Sequence, residues 1–313
     1  MTGGLKKPVV LIAGPTASGK SAVAMELARR HHGLIVNADA LQVYRELRIL
    51  SARPSEEDER QVPHRLYGAI SVAESYSVGR WLPQACAAIE EAWGQGRLPI
   101  VAGGTGLYFK ALEEGLAPLP AIPAPIRESW RRRLAQEGAE ALHRELALHD
   151  ESEAMRVRPS DGQRIVRALE VLQSTGRSLA EWHEATGRGF LQSASVLRLY
   201  LSPPRRSLYA AIDERFSRMM AAGALAEVKA LLAVGLDPDL PAMKATGVRE
   251  LAGFLDGSAT IEEACRIAKQ ESRRYAKRQV TWARRHMIAW KWLNEQYSER
   301  TLAEFFNFIR VTG

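Results

Sequence analysis

The sequence predicts an α/β protein: a P-loop NTPase-like three-layer core around a parallel sheet, with an all-helical insertion and a helical C-terminal part. Three observations predict it. An apolar, β-branched run at 9–12 breaks into Gly14-Pro-Thr-Ala-Ser-Gly-Lys-Ser21, and 22–30 follows with helical periodicity; strand, G-x-x-x-x-G-K-[ST] loop and helix stand in register. Two further short apolar runs, 34–39 and 98–102, alternate with helical stretches, the pattern of βα units that build a parallel sheet. From about residue 118 such runs give way to short, basic, amphipathic segments, which read as helices without strands.

In chain order, the loop comes first. Its glycines let successive backbone N–H groups turn inward on an anion, and the helix start adds unpaired amides and partial positive charge. Gly14, Pro15, Thr16, Ala17, Ser18, Gly19, Lys20 and Ser21 are therefore a candidate site for a diphosphate or a nucleotide such as ATP. Lys20 supplies a point charge to the terminal phosphate, and the Ser21 hydroxyl is a candidate Mg²⁺ ligand. The next strand ends in Asp39. Ligands of open α/β sheets bind beyond the carboxyl ends of strands, so Asp39 is expected in the same crevice. The competing reading, an Asp capping a helix, is weakened by the short apolar segment at 40–44.

Ser55 with the acidic residues after it signals a helix start. A helix from about 80 to 93 ends in a glycine turn, and the strand at 98–102 runs into Gly103-Gly-Thr-Gly106. A typical ATPase or GTPase has a Walker-B Asp at such a strand end. Here glycines allow backbone to approach a ligand closely, and the Thr105 hydroxyl can donate and accept, or cap the helix that follows.

Residues 115–125 are a stiff Pro/Ala-rich connection. Helices are expected at 126–134, 139–148, 152–157 and, after an Asp161 cap, 162–172. The domain reading is 1–117 with 193–313 as the catalytic core and 118–192 as the helical insertion. A strand at 196–201 returns to the sheet, and helices follow at 207–222, 224–234, 242–255 and 261–285. In the last, Arg273, Arg274, Lys277, Arg278, Arg284 and Arg285 recur at helical spacing, interleaved with Tyr275 and Trp282 and with almost no compensating acid. A solvated charged face is the bland reading; a surface for phosphate backbone, giving affinity and salt dependence, is the sharper one.

The bulk numbers agree. Net charge is +7 over 313 residues, which favours a polyanionic partner. No apolar run approaches the roughly 20 residues of a membrane span, and the first residues lead into a strand without a secretory pattern. The two cysteines, Cys86 and Cys265, lie far apart, against a disulfide framework or a cysteine zinc site. A reducing cytoplasm and no membrane are expected.

Seven segments then carry a family resemblance: Gly-Pro-Thr-Ala-Ser-Gly-Lys-Ser (14–21), Asn-Ala-Asp-Ala-Leu-Gln-Val-Tyr-Arg (37–45), Pro-His-Arg-Leu (63–66), Tyr-Ser-Val (76–78), Leu-Pro-Ile-Val-Ala-Gly-Gly-Thr-Gly-Leu-Tyr-Phe-Lys-Ala-Leu (98–112), Arg-Pro-Ser-Asp-Gly-Gln-Arg-Ile-Val-Arg-Ala-Leu-Glu-Val (158–171) and Ala-Lys-Arg-Gln-Val-Thr-Trp (276–282). In this order they resemble the bacterial tRNA dimethylallyltransferases (tRNA isopentenyltransferases). The resemblance implies transfer of a dimethylallyl group from dimethylallyl diphosphate to the exocyclic amine of the adenine just 3′ of the anticodon, in tRNAs reading codons that begin with U. It implies Asp39 as general base, Thr105 as the hydroxyl near amine and donor, and the P-loop with Mg²⁺ and Arg215 on the diphosphate, Arg218 being one helical turn from Arg215. It also implies contacts of the tRNA anticodon stem-loop with Asp39, Ala40, Leu41, Gln42 and Thr105. Others are implied at Arg127 and at Gln163, Arg164, Ile165, Val166 and Arg167; the basic stripe with Arg273, Arg274, Lys277 and Arg278 would then hold the RNA backbone. A monomer suffices for one anticodon arm. Three positions depart from the family pattern: Ala40 in place of Ser or Thr, the segment 46–54, and Gly247-Val248. Rival readings are a P-loop kinase, an adenylate isopentenyltransferase and a non-catalytic RNA-binding protein.

Overall fold

The computed structural model describes residues 7–185 and 187–294. The reading of the first residues as a leaderless lead-in, and the end of the core reading beyond 294, lie outside the described residues. Six parallel strands form one sheet: β1 (Pro8–Ala13), β2 (Gly33–Asn37), β3 (His64–Arg65), β4 (Leu98–Gly103), β5 (Ser195–Leu201) and β6 (Lys291–Leu293), in the order β3-β2-β4-β1-β5-β6. β1 lies between β4 and β5, pairing Ile12 with Ala102 and with Leu199. A strand buried on both faces needs apolar residues throughout, and positions 9–13 of β1 are all buried.

Alternation along β1 builds the layers. Val9, Leu11 and Ala13 join Trp81, Ala85 and Ile89 of α3 (Val78–Gly94) and Tyr108, Phe109 and Leu112 of α4 (Gly106–Glu114) in one cluster. Val10 and Ile12 join Val23, Ala24, Leu27 and Ala28 of α1 (Lys20–Arg30) in another. The small α2 (Glu56–Gln61) opens with a complete capping box, Ser55 accepting from the Asp58 N–H and Asp58 from the Ser55 N–H. The Trp81 indole donates to Asn37 O at 2.7 Å and stacks on Tyr108 with ring centroids 4.3 Å apart, pinning the end of β2.

The chain divides into two compact units, Met1–Glu113 with Phe190–Gly313 and Glu114–Gly189. Phe190 and Leu191 already pack into the sheet's core cluster. The second unit is helical: α5 (Ala124–Glu137), α6 (Ala139–His149), α7 (Glu151–Arg156), α8 (Gly162–Thr175) and α9 (Leu179–Glu184). Its core gathers Trp130, Leu142, Leu146, Ile165, Val166 and Leu169. In the first unit, α10 (Arg205–Ala221), α11 (Ala224–Ala233), α12 (Val248–Leu255) and α13 (Ile261–His286) follow β5.

The helix expected over 242–255 is broken. Pro241–Lys244 is a 3₁₀ turn, and α12 starts only after Gly247, whose φ of +99° no continuous right-handed helix tolerates. β3, β6 and α9 are absent from the sequence reading, being two, three and six residues long. Among the described residues, no helix is long and apolar enough to cross a membrane.

Candidate active site

The site lies at the carboxyl ends of β1, β2 and β4. The loop after β1 curls through Ala17 (φ +62°) and Gly19 (φ +89°), the left-handed conformations that fold it back on itself. Lys20, the first residue of α1, donates from Nζ to Pro15 O at 3.1 Å. Burial pushes its ammonium down to about 8, with Arg215 adding to the shift and Asp39 opposing it. Arg215, on α10, donates to the Thr16 hydroxyl, and burial lowers its guanidinium too. Arg218 points elsewhere: it is largely exposed and faces Glu214 at 3.9 Å.

After β2 the chain makes an Asx turn. Asn37 Oδ1 accepts the Asp39 N–H at 2.8 Å, and Asp39 Oδ1 accepts the Leu41 N–H at 3.0 Å. One carboxylate oxygen of Asp39 is therefore fixed. The other, Oδ2, lies beside Gly104, 3.2 Å from where a Cβ on that residue would stand. Asp39 acts electrostatically on Lys20, Arg215, Tyr67, Tyr108 and Tyr275, which places it among the charged and hydroxyl groups of the site.

After β4 the glycines are needed for space. A Cβ on Gly103 would come within 2.1 Å of the Ala38 backbone, and one on Gly106 within 2.2 Å of the Trp282 ring. Thr105 Oγ1 accepts the Ala40 N–H at 3.0 Å, so the backbone keeps this link although residue 40 has no hydroxyl. The Tyr275 side chain also hydrogen-bonds Thr105, and burial raises the Tyr275 phenol.

Helix α13 closes the site. Its Tyr275, Gln279 and Trp282 meet Thr105, Gly104 and Gly106 in turn. A pocket of about 250 Å³ lies between them and the strand ends, with Ala13, Leu107, Tyr200 and Met287 giving it an apolar wall. Sequence reasoning passed over Gln279 and Tyr200. The signal for α13 was the spacing Tyr275, Gln279, Trp282, His286 along one helix face.

Several expected contacts come out differently. Ile165 and Val166 are 0% and 5% exposed in the insertion core, so their side chains are packing residues and not tRNA contacts; the exposed positions of that turn are Gln163 and Arg164. Arg164 pairs with Asp161 and Arg167 with Glu170, both at 3.4 Å, and Arg127 is exposed on α5. Gln42 uses Nε2 to hold Ser51 O and Ala52 O at 3.0 and 2.8 Å, leaving its carbonyl oxygen. Leu41 packs on the C-terminal helices and Ala40 on the sheet core.

The basic stripe is also less bare than its sequence. Arg273 pairs with Asp213 at 2.6 Å and Arg274 with Glu271 at 2.5 Å, while Lys277, Arg278, Arg284 and Arg285 are exposed. Arg278 lies over the Tyr275 ring, 5.6 Å from its centroid, so one charge does interleave with the aromatics. Tyr275 and Trp282 line the pocket, and the spacing puts Lys277 and Arg284 on the opposite face of the helix.

Fold and site together define a P-loop α/β protein that places a phosphate cradle, an apolar pocket and a carboxylate at one set of strand ends. A family model described as IPP transferase matches residues 42–286, and one described as Isopentenyl transferase matches residues 7–70. The chain belongs to the IPP transferase family. It is 51% identical over 294 residues to the tRNA dimethylallyltransferase of Nitrobacter hamburgensis (94% of this chain, 93% of the relative) and 52% identical over 286 residues to that of Azorhizobium caulinodans (91% and 92%). Among solved structures it resembles the full-length tRNA isopentenylpyrophosphate transferase of Bacillus halodurans, with TM-score 0.70, 33% identity and 98% and 96% of the two chains covered. It also resembles a eukaryotic dimethylallyltransferase captured acting on tRNA, with TM-score 0.82, 25% identity and 97% and 80% covered.

Proposed function

We propose that this chain is a tRNA dimethylallyltransferase that moves the dimethylallyl group of dimethylallyl diphosphate onto the exocyclic amine of the adenine 3′ of the anticodon, in tRNAs reading codons that begin with U. The observation that carries the reading is the meeting of the P-loop, the apolar pocket and Asp39 at the ends of β1, β2 and β4. The diphosphate lies on the loop amides, Lys20 and Arg215, and the five-carbon group enters the pocket, where aromatic faces favour positive charge developing on the allylic carbon. The donor C–O bond breaks and the new C–N bond forms. The pair of electrons leaves on diphosphate, whose charge the preorganised donors stabilise, and the amine proton passes to Asp39 Oδ2. Thr105, tied to Ala40 N and Tyr275, orients the amine.

Mg²⁺ fits this donor set. Ser21 has an exposed hydroxyl at the helix start, and no cluster of three or more His, Cys, Asp or Glu is present among the described residues. Such a set suits an ion held mainly by diphosphate oxygens and water, with Ser21 as the protein's ligand. Bound there, it would neutralise charge on the leaving group. The target base leaves the anticodon stack to reach the site, with Gln163, Arg164 and Arg127 of the helical unit, and the exposed stripe of α13 in the first unit, as RNA contacts. The chain works in the cytoplasm as a monomer.

The test incubates the protein, Mg²⁺ and labelled dimethylallyl diphosphate with an anticodon stem-loop or with AMP. Label in the stem-loop alone is expected; label in AMP would make the protein a cytokinin-forming enzyme, and ATP consumption without transfer would restore a kinase. The double variant Arg284→Gln/Arg285→Gln is expected to weaken stem-loop binding and reduce its log–log salt slope by about one unit per charge removed, with the KM for dimethylallyl diphosphate unchanged. An unchanged slope would leave those arginines as solvated charge.

A further inference from the structure

We infer that Gln279 is a specificity-determining residue that withdraws the Thr16 amide from the P-loop and so tunes it to diphosphate over triphosphate; this rests on the diphosphate site proposed above. The carboxamide of Gln279 is held at both ends. Oε1 accepts the Thr16 N–H at 2.9 Å and Nε2 donates to Gly104 O at 2.9 Å. The assignment of its two ends follows from the partners, since a backbone N–H can only donate and a carbonyl can only accept.

The consequence lies in which loop donors remain. Pro15 has no N–H. The Thr16 N–H is taken by Gln279, while the Thr16 hydroxyl accepts from Arg215. The Ser18 N–H donates to Pro15 O at 3.2 Å. Of the leading half's amides, those of Thr16 and Ser18 are thus engaged by the protein's own acceptors, and that of Ala17 is left. The amides left to an anion are that of Ala17 and those of the trailing half, Gly19 to Ser21, where the first amides of α1 have no intrahelical partner. Lys20 stands at that half, with its Nζ over Pro15 O. A cradle whose first amide, Thr16, is withdrawn is shortened at the end a third phosphoryl group would need, and matches two. A third would have to displace the Gln279 carboxamide from Thr16.

Gln279 also has a fixed place to act from. It belongs to the α13 face that seats Tyr275 on Thr105 and Trp282 on Gly106. A Cβ at Gly104 would meet Nε2 at 2.3 Å, so a larger residue there would have to move the carboxamide. Its two hydrogen bonds hold the carboxamide across the loop and the glycine turn.

The experiment uses inorganic pyrophosphate and tripolyphosphate as probes, titrated calorimetrically into the full-length protein without prenyl donor or tRNA. Wild type is expected to bind pyrophosphate at least about tenfold more tightly. In Gln279→Ala the freed Thr16 amide becomes available to a third phosphoryl group, and the preference is expected to shift toward tripolyphosphate by about tenfold, the scale of one buried donor. Gln279→Glu still accepts from Thr16 but adds negative charge, so it is expected to keep or strengthen the pyrophosphate preference while binding both more weakly. Wild type that favours tripolyphosphate overturns the inference whatever the variants do. A Gln279→Ala protein with the wild-type ratio and thermal midpoint makes Gln279 a brace only. Failure of the labelled transfer assay with this preference intact would count against the transferase reading and leave the loop's tuning standing.

Discussion

Asp39→Asn is expected to lower the single-turnover rate of transfer by about 10² to 10⁴, the span general-base catalysis contributes, while stem-loop affinity and the thermal midpoint hold. The substitution is nearly isosteric, and Oδ1, which accepts the Leu41 N–H at 3.0 Å, is kept. What changes is Oδ2, the oxygen beside Gly104, which becomes an amide unable to take a proton. An adenine amine is a weak nucleophile because its lone pair is delocalised into the ring, so the barrier depends on a base in reach as the C–N bond forms. A structural role for Asp39 would instead appear as lost stability with the rate per folded molecule preserved. If the Asp39→Asn protein transfers at a rate within about tenfold of wild type, below the lower bound for such a base, the proton goes elsewhere.

The residues of this argument differ in how visible they are in the sequence. Strands buried on both faces announce themselves as apolar runs, and β1, β2 and β4 were legible for that reason; β5, half-buried over its first four residues, showed as the apolar alternation of 196–201. β3 and β6 were not, because His64–Arg65 and Lys291–Leu293 are too short to show a period. Gly247 looks like any glycine within 242–255 until its positive φ is seen to end the helix. Asp39 and Thr105 stand at strand ends, where topology alone predicts ligands. Gln279 does not: its partners Thr16 and Gly104 are 263 and 175 positions away, and helical spacing records a shared face without naming what that face meets. Ile165 and Val166 show the converse limit. They sit beside exposed Gln163 and Arg164 in one motif, yet helix geometry turns them into the insertion core.

Lys20 gives the second large effect, and it has a pH signature. An ordinary lysine stays charged to above pH 10, but burial brings the Lys20 ammonium down to about 8, Arg215 pushing the same way and Asp39 the other. The protonated form, the one that attracts diphosphate, therefore dominates below pH 8 and is lost above it. kcat/KM for dimethylallyl diphosphate reports the free enzyme, so it is expected to fall on the alkaline side with an apparent pKa near 8, approaching about tenfold per pH unit. Bound diphosphate favours the charged form, so the same limb in kcat should move to higher pH. Lys20→Met removes the limb and, by deleting a donor aimed at the charge that develops on the leaving group, lowers kcat by about 10² to 10³. A wild-type kcat/KM that stays flat well above pH 8 would mean that Lys20 keeps its proton there, and the neighbouring Arg215 would then carry the interaction alone. The split between the two profiles separates this from general alkaline inactivation, which would lower both at the same pH.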